Sequence, residues 1–442
     1  MNSSCSPNVS LNMSAILRSV LTLSAILAFA SISRAGSEDA PIFYGKVAAH
    51  DPITRLQYRL DRGQATLQFD DRHGYLESVL KELHISPSTQ SLVFSKTSFQ
   101  RELISSHRPR AIYFNDDVYV GFVRDGSVLE VATIDNQQGT TFYTISQEQR
   151  SKPRFNRLTS QCLQCHESET TRNVPGLLMR SIYPDELGRP LLAAGSFHTT
   201  DQSPFNQRWG GWYVTGTSGR MRHMGNVILE DEQNPSLLDR EYGANLTDLS
   251  QRFQVGPYLT ADSDIVALMV LTHQANIHNL MTQASYEVRS ALSDQFAINE
   301  ALRQPVSTRT EGTDHRIASA CEPLVAAMLF STEAALPDPI AGTSKFTTEF
   351  AARGPADSKG RSLRQFDLTH RLFKYPCSYL IYSTQFDGMP AEGRDYIYRR
   401  LFDVLNGKDQ SAPFKNLSQD DRQAILQILR ETKTGLPESW GR

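Results

Sequence analysis

Residues 111–145 read AIYFNDDVYVGFVRDGSVLEVATIDNQQGTTFYTI. Four short runs rich in β-branched and aromatic residues stand out in it: AIYF (111–114), VYVGFV (118–123), VLEVATI (128–134) and TTFYTI (140–145). Turn formers separate them, at Asn115-Asp116-Asp117, at Asp125-Gly126 and from Asn136 to Gly139. SLVFSK (91–96) is a further run of the same kind. The spacing predicts a β-meander with one face buried.

The period changes on both sides of this stretch. GYLESVLKEL (74–83) places Tyr75, Leu76, Val79, Leu80 and Leu83 at helical spacing, and residues 36–50 read as a mobile leader. Residues 170–235 are dense in glycine and aromatics, as in RWGGWYVTG (208–216). From about Asp262 the chain turns helical. Residues 264–292 and 315–331 carry a sustained helical period; 391–407 ends on Gly407, and 418–432 starts on the N-cap residue Ser418 with Asp421 in the first turn. The expected class is α+β: a β-rich region over 36–150, a middle with a short helix over 151–260, and a helical region over 261–442.

The chain has 442 residues, 39% of them apolar, and a net charge of −3 with both signs interspersed. A sizeable core can form, and the charge gives no argument for nucleic acid or an anionic membrane surface. Residues 14–32, SAILRSVLTLSAILAFASI, have Arg18 ahead of an apolar run, and Ser33-Arg34-Ala35 supplies small residues at a cleavage point. Residues 1–35 therefore read as an export signal. The run is shorter than the about 20 residues a span needs, so no stable membrane span is expected after cleavage. The expected location is periplasmic or secreted. Of five cysteines, Cys5 leaves with the signal; Cys321 and Cys377 either pair with each other or stay as separate buried thiols.

The remaining two form Cys162-Leu163-Gln164-Cys165-His166, the pattern C-x-x-C-H. A zinc site normally needs four ligands in paired clusters, and no second cluster is present. A thioredoxin-type motif needs a strand before it, and the flanking NRLTSQ supplies no β-run. The pattern specifies covalent haem of the c type directly. On a helical turn Cys162 and Cys165 share a face and can reach both vinyl groups, while His166 turns its imidazole under the iron as proximal ligand. One motif means one haem c per chain.

Locally the sequence resembles a bacterial c-type cytochrome. More widely it resembles a family of secreted single-haem proteins described as cytochrome c domain proteins. The stretches concerned are SLVFSKTSFQ (91–100), RPRAIYFNDDVYVGF (108–122), CLQCHESETTRNVPG (162–176), RWGGWYVTG (208–216), RHMGN (222–226) and RLFKYPCSYLIYS (371–383). They span nearly all the mature chain. The resemblance implies a haem protein and brings no established reaction with it. The chain is several times longer than one haem needs.

The sixth iron ligand separates carrier from enzyme. In RHMGN, His223 is preferred over Met224 as the distal ligand, since Gly225 lets backbone approach a ring. Met179 and His198 are further candidates, and an absent ligand stays open. His273 and His278 lie five residues apart on the long helix and do not share a face. Arg208, Arg220 and Arg222 could pair with haem propionates or be solvated, and Trp209, Trp212 and Tyr213 could pack on the porphyrin or in the core. The expected function is electron transfer between a redox partner protein or small-molecule donor and an acceptor. The alternative is a peroxidase-like haem oxidoreductase with an open or displaceable distal site.

Overall fold

The computed structural model describes residues 37–441; the expected export signal over 1–35 lies outside them. Helices α1 (Pro52–Asp61) and α2 (Leu76–Glu82) precede a six-stranded antiparallel sheet. Its strands lie side by side in chain order: β1 (Ser91–Val93), β2 (Arg110–Phe114), β3 (Val118–Phe122), β4 (Val128–Asp135), β5 (Gly139–Ser146) and β6 (Phe155–Leu158). A short helix α3 (Ser160–His166) follows β6 at once, and β7 (Arg180–Ile182) pairs with β8 (Ser196–His198) as a separate hairpin. The helical C-terminal region contains α4 (Ile265–Ala301), α5 (Glu311–Met328), α6 (Phe346–Ala352), α7 (Thr384–Asp387), α8 (Ala391–Leu405) and α9 (Gln419–Thr432). The class is α+β.

The meander obeys the period of two. Ala111, Tyr113, Val118, Val120, Leu129, Val131, Tyr143 and Ile145 face one side and pack on Ile53 and Leu56 of α1 and Leu76, Val79 and Leu80 of α2. The other side is covered as well, so β3 and β5 are buried at nearly every position. The expectation of a single buried face therefore misses the second cover. It is supplied by α4 and by the segments after α3, which lie too far along the chain for strand periodicity to register.

Two further differences concern the N-terminal side. Residues 37–50 are not a loose leader: Ile42 and Tyr44 are buried, and the Tyr44 hydroxyl donates to the Thr140 carbonyl at 3.0 Å. The segment before α3 does hold a strand, β6, paired antiparallel to β5. It is an edge strand of the meander and not part of a parallel βαβ unit.

Helix α4 runs for 37 residues, roughly 55 Å. The Asp264 carboxylate caps it, accepting from Val266 N–H at 2.8 Å, and also accepts from Ser344 N–H at 2.8 Å. Residues Ile265 to Thr282 are buried on all sides, which makes α4 the centre of the molecule rather than an amphipathic cover. Its core joins Val93, Phe114, Tyr119 and Ile134 of the sheet to α5, α8 and α9. Helix α9 starts as expected, with a reciprocal Ser418–Asp421 capping box. Helix α8 stops at Leu405, two residues before Gly407, whose φ of +81° glycine adopts without strain. Among the described residues no helix is long and apolar enough to cross a membrane.

Candidate functional site

The sheet face turned away from α1 and α2 floors a cavity of about 720 Å³. The register explains the floor. Ile112, Gly121, Glu130 and Thr144 form one cross-strand row, and Tyr119, Ala132, Phe142 and Leu158 form the next. Cys162, Cys165 and His166 of α3 form one wall; Leu177 to Arg180 and the β7–β8 hairpin form another; Leu271 and Ala275 of α4 close the cavity. The size and the apolar walls suit a small-molecule or cofactor site.

Helix α3 exists because β6 delivers the chain there and the loop after it ties the end down. The Thr171 hydroxyl donates to the His166 and Ser168 carbonyls, and Gly176 N–H donates to His166 O at 2.9 Å. The His166 Nδ1–H points at the Gly176 carbonyl, 2.8 Å away. That bond fixes the tautomer and leaves Nε2 as a lone pair with no partner among the described residues. The ring rests against Phe142, centroids 4.8 Å apart, and burial holds its pKa below the usual histidine value, so it is neutral. Asn279 of α4 fixes the carbonyl in turn. Its Oδ1 accepts from Leu177 N–H and its Nδ2 donates to Leu177 O, each at 2.8 Å. Gly176 is required here: a Cβ would stand 2.4 Å from Asn279 Oδ1.

Cys162 and Cys165 are free thiols on one side of α3, and both line the cavity. Burial pushes the Cys162 thiol up to about 11. A redox C-x-x-C needs the opposite shift. The two sulfurs and the imidazole do not converge on a single point as a zinc site requires. Cys321 and Cys377 are separate buried thiols, each pushed up to about 12 by burial.

His223 and Met224, preferred from the sequence as distal ligands, do not line the cavity. The His223 ring is buried between Phe205 and Trp209, its Nδ1 accepts from Gly225 N–H at 3.0 Å, and burial lowers its pKa to about 4. Met224 is fully buried among Tyr183, Val227, Leu229 and Leu238, with its sulfur taking the Ser181 hydroxyl at 3.8 Å. Met179 and His198 do line it. Of the aromatics, Trp212 lines the cavity, while Trp209 and Tyr213 are core residues. Arg208 is buried and bonded to the Ser203 and Asp201 carbonyls, Arg220 pairs with Asp338, and Arg222 pairs with Glu241. The cations at the cavity are instead Lys96, Arg101, Arg110 and Arg180, of which Arg110 is paired with Glu130 at 2.9 Å. Position along the chain gave no sign of these four.

Two other clusters are packing arrangements. His273 lies 3.0 Å from Asp201 Oδ2 through Nδ1 and 2.8 Å from Ser378 Oγ through Nε2, in the order of a hydrolytic triad. Yet Ser378 is fully buried, caps the turn at Leu380, and does not line the cavity described above. Asp70, His73 and Glu77 lie close together, but both His73 nitrogens are taken, by Glu77 at 3.0 Å and by the Pro257 carbonyl at 3.1 Å. His278 is likewise occupied, by Gln385 and the Asp116 carbonyl. Comparison with protein-family models, with curated proteins and with solved structures finds no match for this chain.

Proposed function

We propose that the chain is an exported single-haem c-type cytochrome that carries electrons between redox partners. Cys162 and Cys165 hold haem c by two thioether bonds, and His166 is the proximal iron ligand. The observation that carries this reading is the His166–Gly176 hydrogen bond. It presents an unpartnered, neutral Nε2 on the same cavity wall as the two free thiols. Metal-bound histidines are held in this way, by a bond from the other ring nitrogen that sets orientation and basicity.

Haem, when bound, supplies a one-electron iron couple whose potential the protein tunes. The chain's own residues do the rest. Asn279 and Gly176 orient the proximal imidazole. Ile112, Phe142, Leu177 and Leu271 give the cavity its apolar lining. Lys96 and Arg180 offer cationic donors to carboxylates at its edge. Phe99, 63% exposed, sits on the same rim, where a partner protein or small-molecule donor or acceptor would approach.

The test is expression with export in a host that matures c-type cytochromes. The expected result is haem that stays with the polypeptide after denaturation and a low-spin spectrum unchanged by carbon monoxide. Absence of covalent haem would overturn the proposal. Rapid carbon monoxide binding on reduction would favour the alternative, a haem oxidoreductase with an open distal site.

A further inference from the structure

The β7–β8 wall of the cavity holds an unexplained polar group. Among the described residues, His198 is the histidine with a sealed ring nitrogen and no hydrogen-bond partner, Nδ1. Its Nε2 likewise makes no hydrogen bond to a described residue, and the side chain lines the cavity that contains Cys162, Cys165 and His166. The sealed Nδ1 does not reach the cavity, so Nε2 is the ring nitrogen open to a ligand there.

The backbone around His198 is held firmly. In the β7–β8 hairpin His198 stands opposite Arg180, whose carbonyl accepts the Trp212 indole N–H at 2.9 Å. The next residue, Thr199, donates its N–H to Met179 O at 2.8 Å, and the Ser203 hydroxyl donates to the His198 carbonyl at 3.2 Å. The imidazole is thus carried on a fixed strand. Burial, with the nearby Arg172 charge, keeps its pKa below the usual histidine value, which leaves the ring neutral. Met179 reaches the same cavity, but its side chain packs into the main apolar core.

We propose that His198, from the β7–β8 hairpin, is the second axial ligand of the haem iron, alongside His166 as the first. The inference rests on the haem reading above and replaces His223 and Met224 in that role. It makes the centre a bis-histidine one, closed to exogenous ligands and suited to electron transfer.

The experiment uses the exported holoprotein and its His198→Ala, Met179→Leu and His223→Ala variants. Covalent haem is quantified after denaturation in alkaline pyridine, and spin state is read from absorption and electron paramagnetic resonance spectra. His198→Ala is expected to keep its covalent haem, turn high-spin, bind carbon monoxide on reduction and return to low spin with added imidazole. His198→Met, a second variant that keeps a ligating side chain, is expected to stay low-spin and gain a thioether-to-iron charge-transfer band. Met179→Leu and His223→Ala are expected to retain the parent spectrum. A His198→Ala protein that stays low-spin and inert to carbon monoxide would overturn the inference, as would conversion by Met179→Leu or a high-spin parent. All three results leave attachment intact, whereas a parent chain without covalent haem defeats the earlier reading itself.

Discussion

Asn279 grips Leu177 by both backbone groups, at 2.8 Å each, from a position 102 residues further along the chain. This contact links the central helix α4 to the loop whose Gly176 carbonyl orients His166. Asn279→Ala would leave a buried N–H and a buried C=O of Leu177 unpaired. The expected loss of stability is on the order of 2–4 kcal/mol, read from the urea midpoint. In the holoprotein the loosened proximal bond is expected to raise the reduction potential, because His166 becomes a weaker donor. An unchanged midpoint would mean that the loop is held by other contacts.

Single replacement of Cys162 or Cys165 by serine is expected to leave haem attached by one thioether at most and to lower its yield several-fold. The double replacement is expected to remove all haem that survives denaturation. Cys321→Ala and Cys377→Ala are expected to retain full attachment, since both thiols are buried in the helical core and neither lines the cavity. Haem staining after denaturing electrophoresis distinguishes the cases. Staining retained in the double variant would show that attachment does not run through C-x-x-C-H.

The parts legible in the sequence were those with a local signature. The β-runs of 111–145 are each bounded by turn residues, and the period of the long helix and the Ser418 cap are written within a few positions. Cys162, Cys165 and His166 stand out for the same reason. Asp51 with Pro52 and Thr54, ahead of Ile53, Leu56 and Leu60 at helical spacing, is an equally local helix signal that the reading of residues 36–50 and 74–83 passes over. The cavity's far wall had no such signature. His198 enters it only because β8 pairs with β7 in one register, and a shift of one residue would turn it to the other face. His223 and Met224 had a suggestive spacing, but their segment turns inward, with Met224 N–H bonded to the Arg208 carbonyl. Gly176 and Asn279 are linked only through the tertiary fold.

The Asp201–His273–Ser378 chain is expected to act in packing alone. Ser378→Ala leaves His273 Nε2 without its partner in a site sealed by Phe330, Phe373 and Tyr379. A loss of about 1–3 kcal/mol is expected from that orphaned nitrogen. A fluorophosphonate probe, which labels activated serines, is expected to leave the native protein unmodified at Ser378. Labelling at that residue would show that the cluster opens to solvent and would demand a hydrolytic reading.

Glu333 makes stability depend on pH in a direction opposite to most carboxylates. Burial pushes its carboxyl up to about 7 from an ordinary 4.5, and the nearby Asp201 charge adds to the rise. The Leu372 N–H, which it accepts at 2.8 Å, and the Arg208 and Arg371 charges only partly offset this. Between those two values the folded chain keeps a proton that the unfolded chain has released. Its contribution is therefore fully present below about pH 4.5 and is lost as pH rises through about 7. Glu333→Gln keeps an acceptor for Leu372 and stays neutral throughout. Urea midpoints of parent and variant at about pH 5 and about pH 8 isolate this group, because all other titrations cancel in the difference. The difference is expected to move in the variant's favour by on the order of 1–3 kcal/mol at the higher pH. A difference that stays constant between the two conditions would mean that Glu333 is ionised in the folded protein, with Arg208 and Arg371 outweighing its burial.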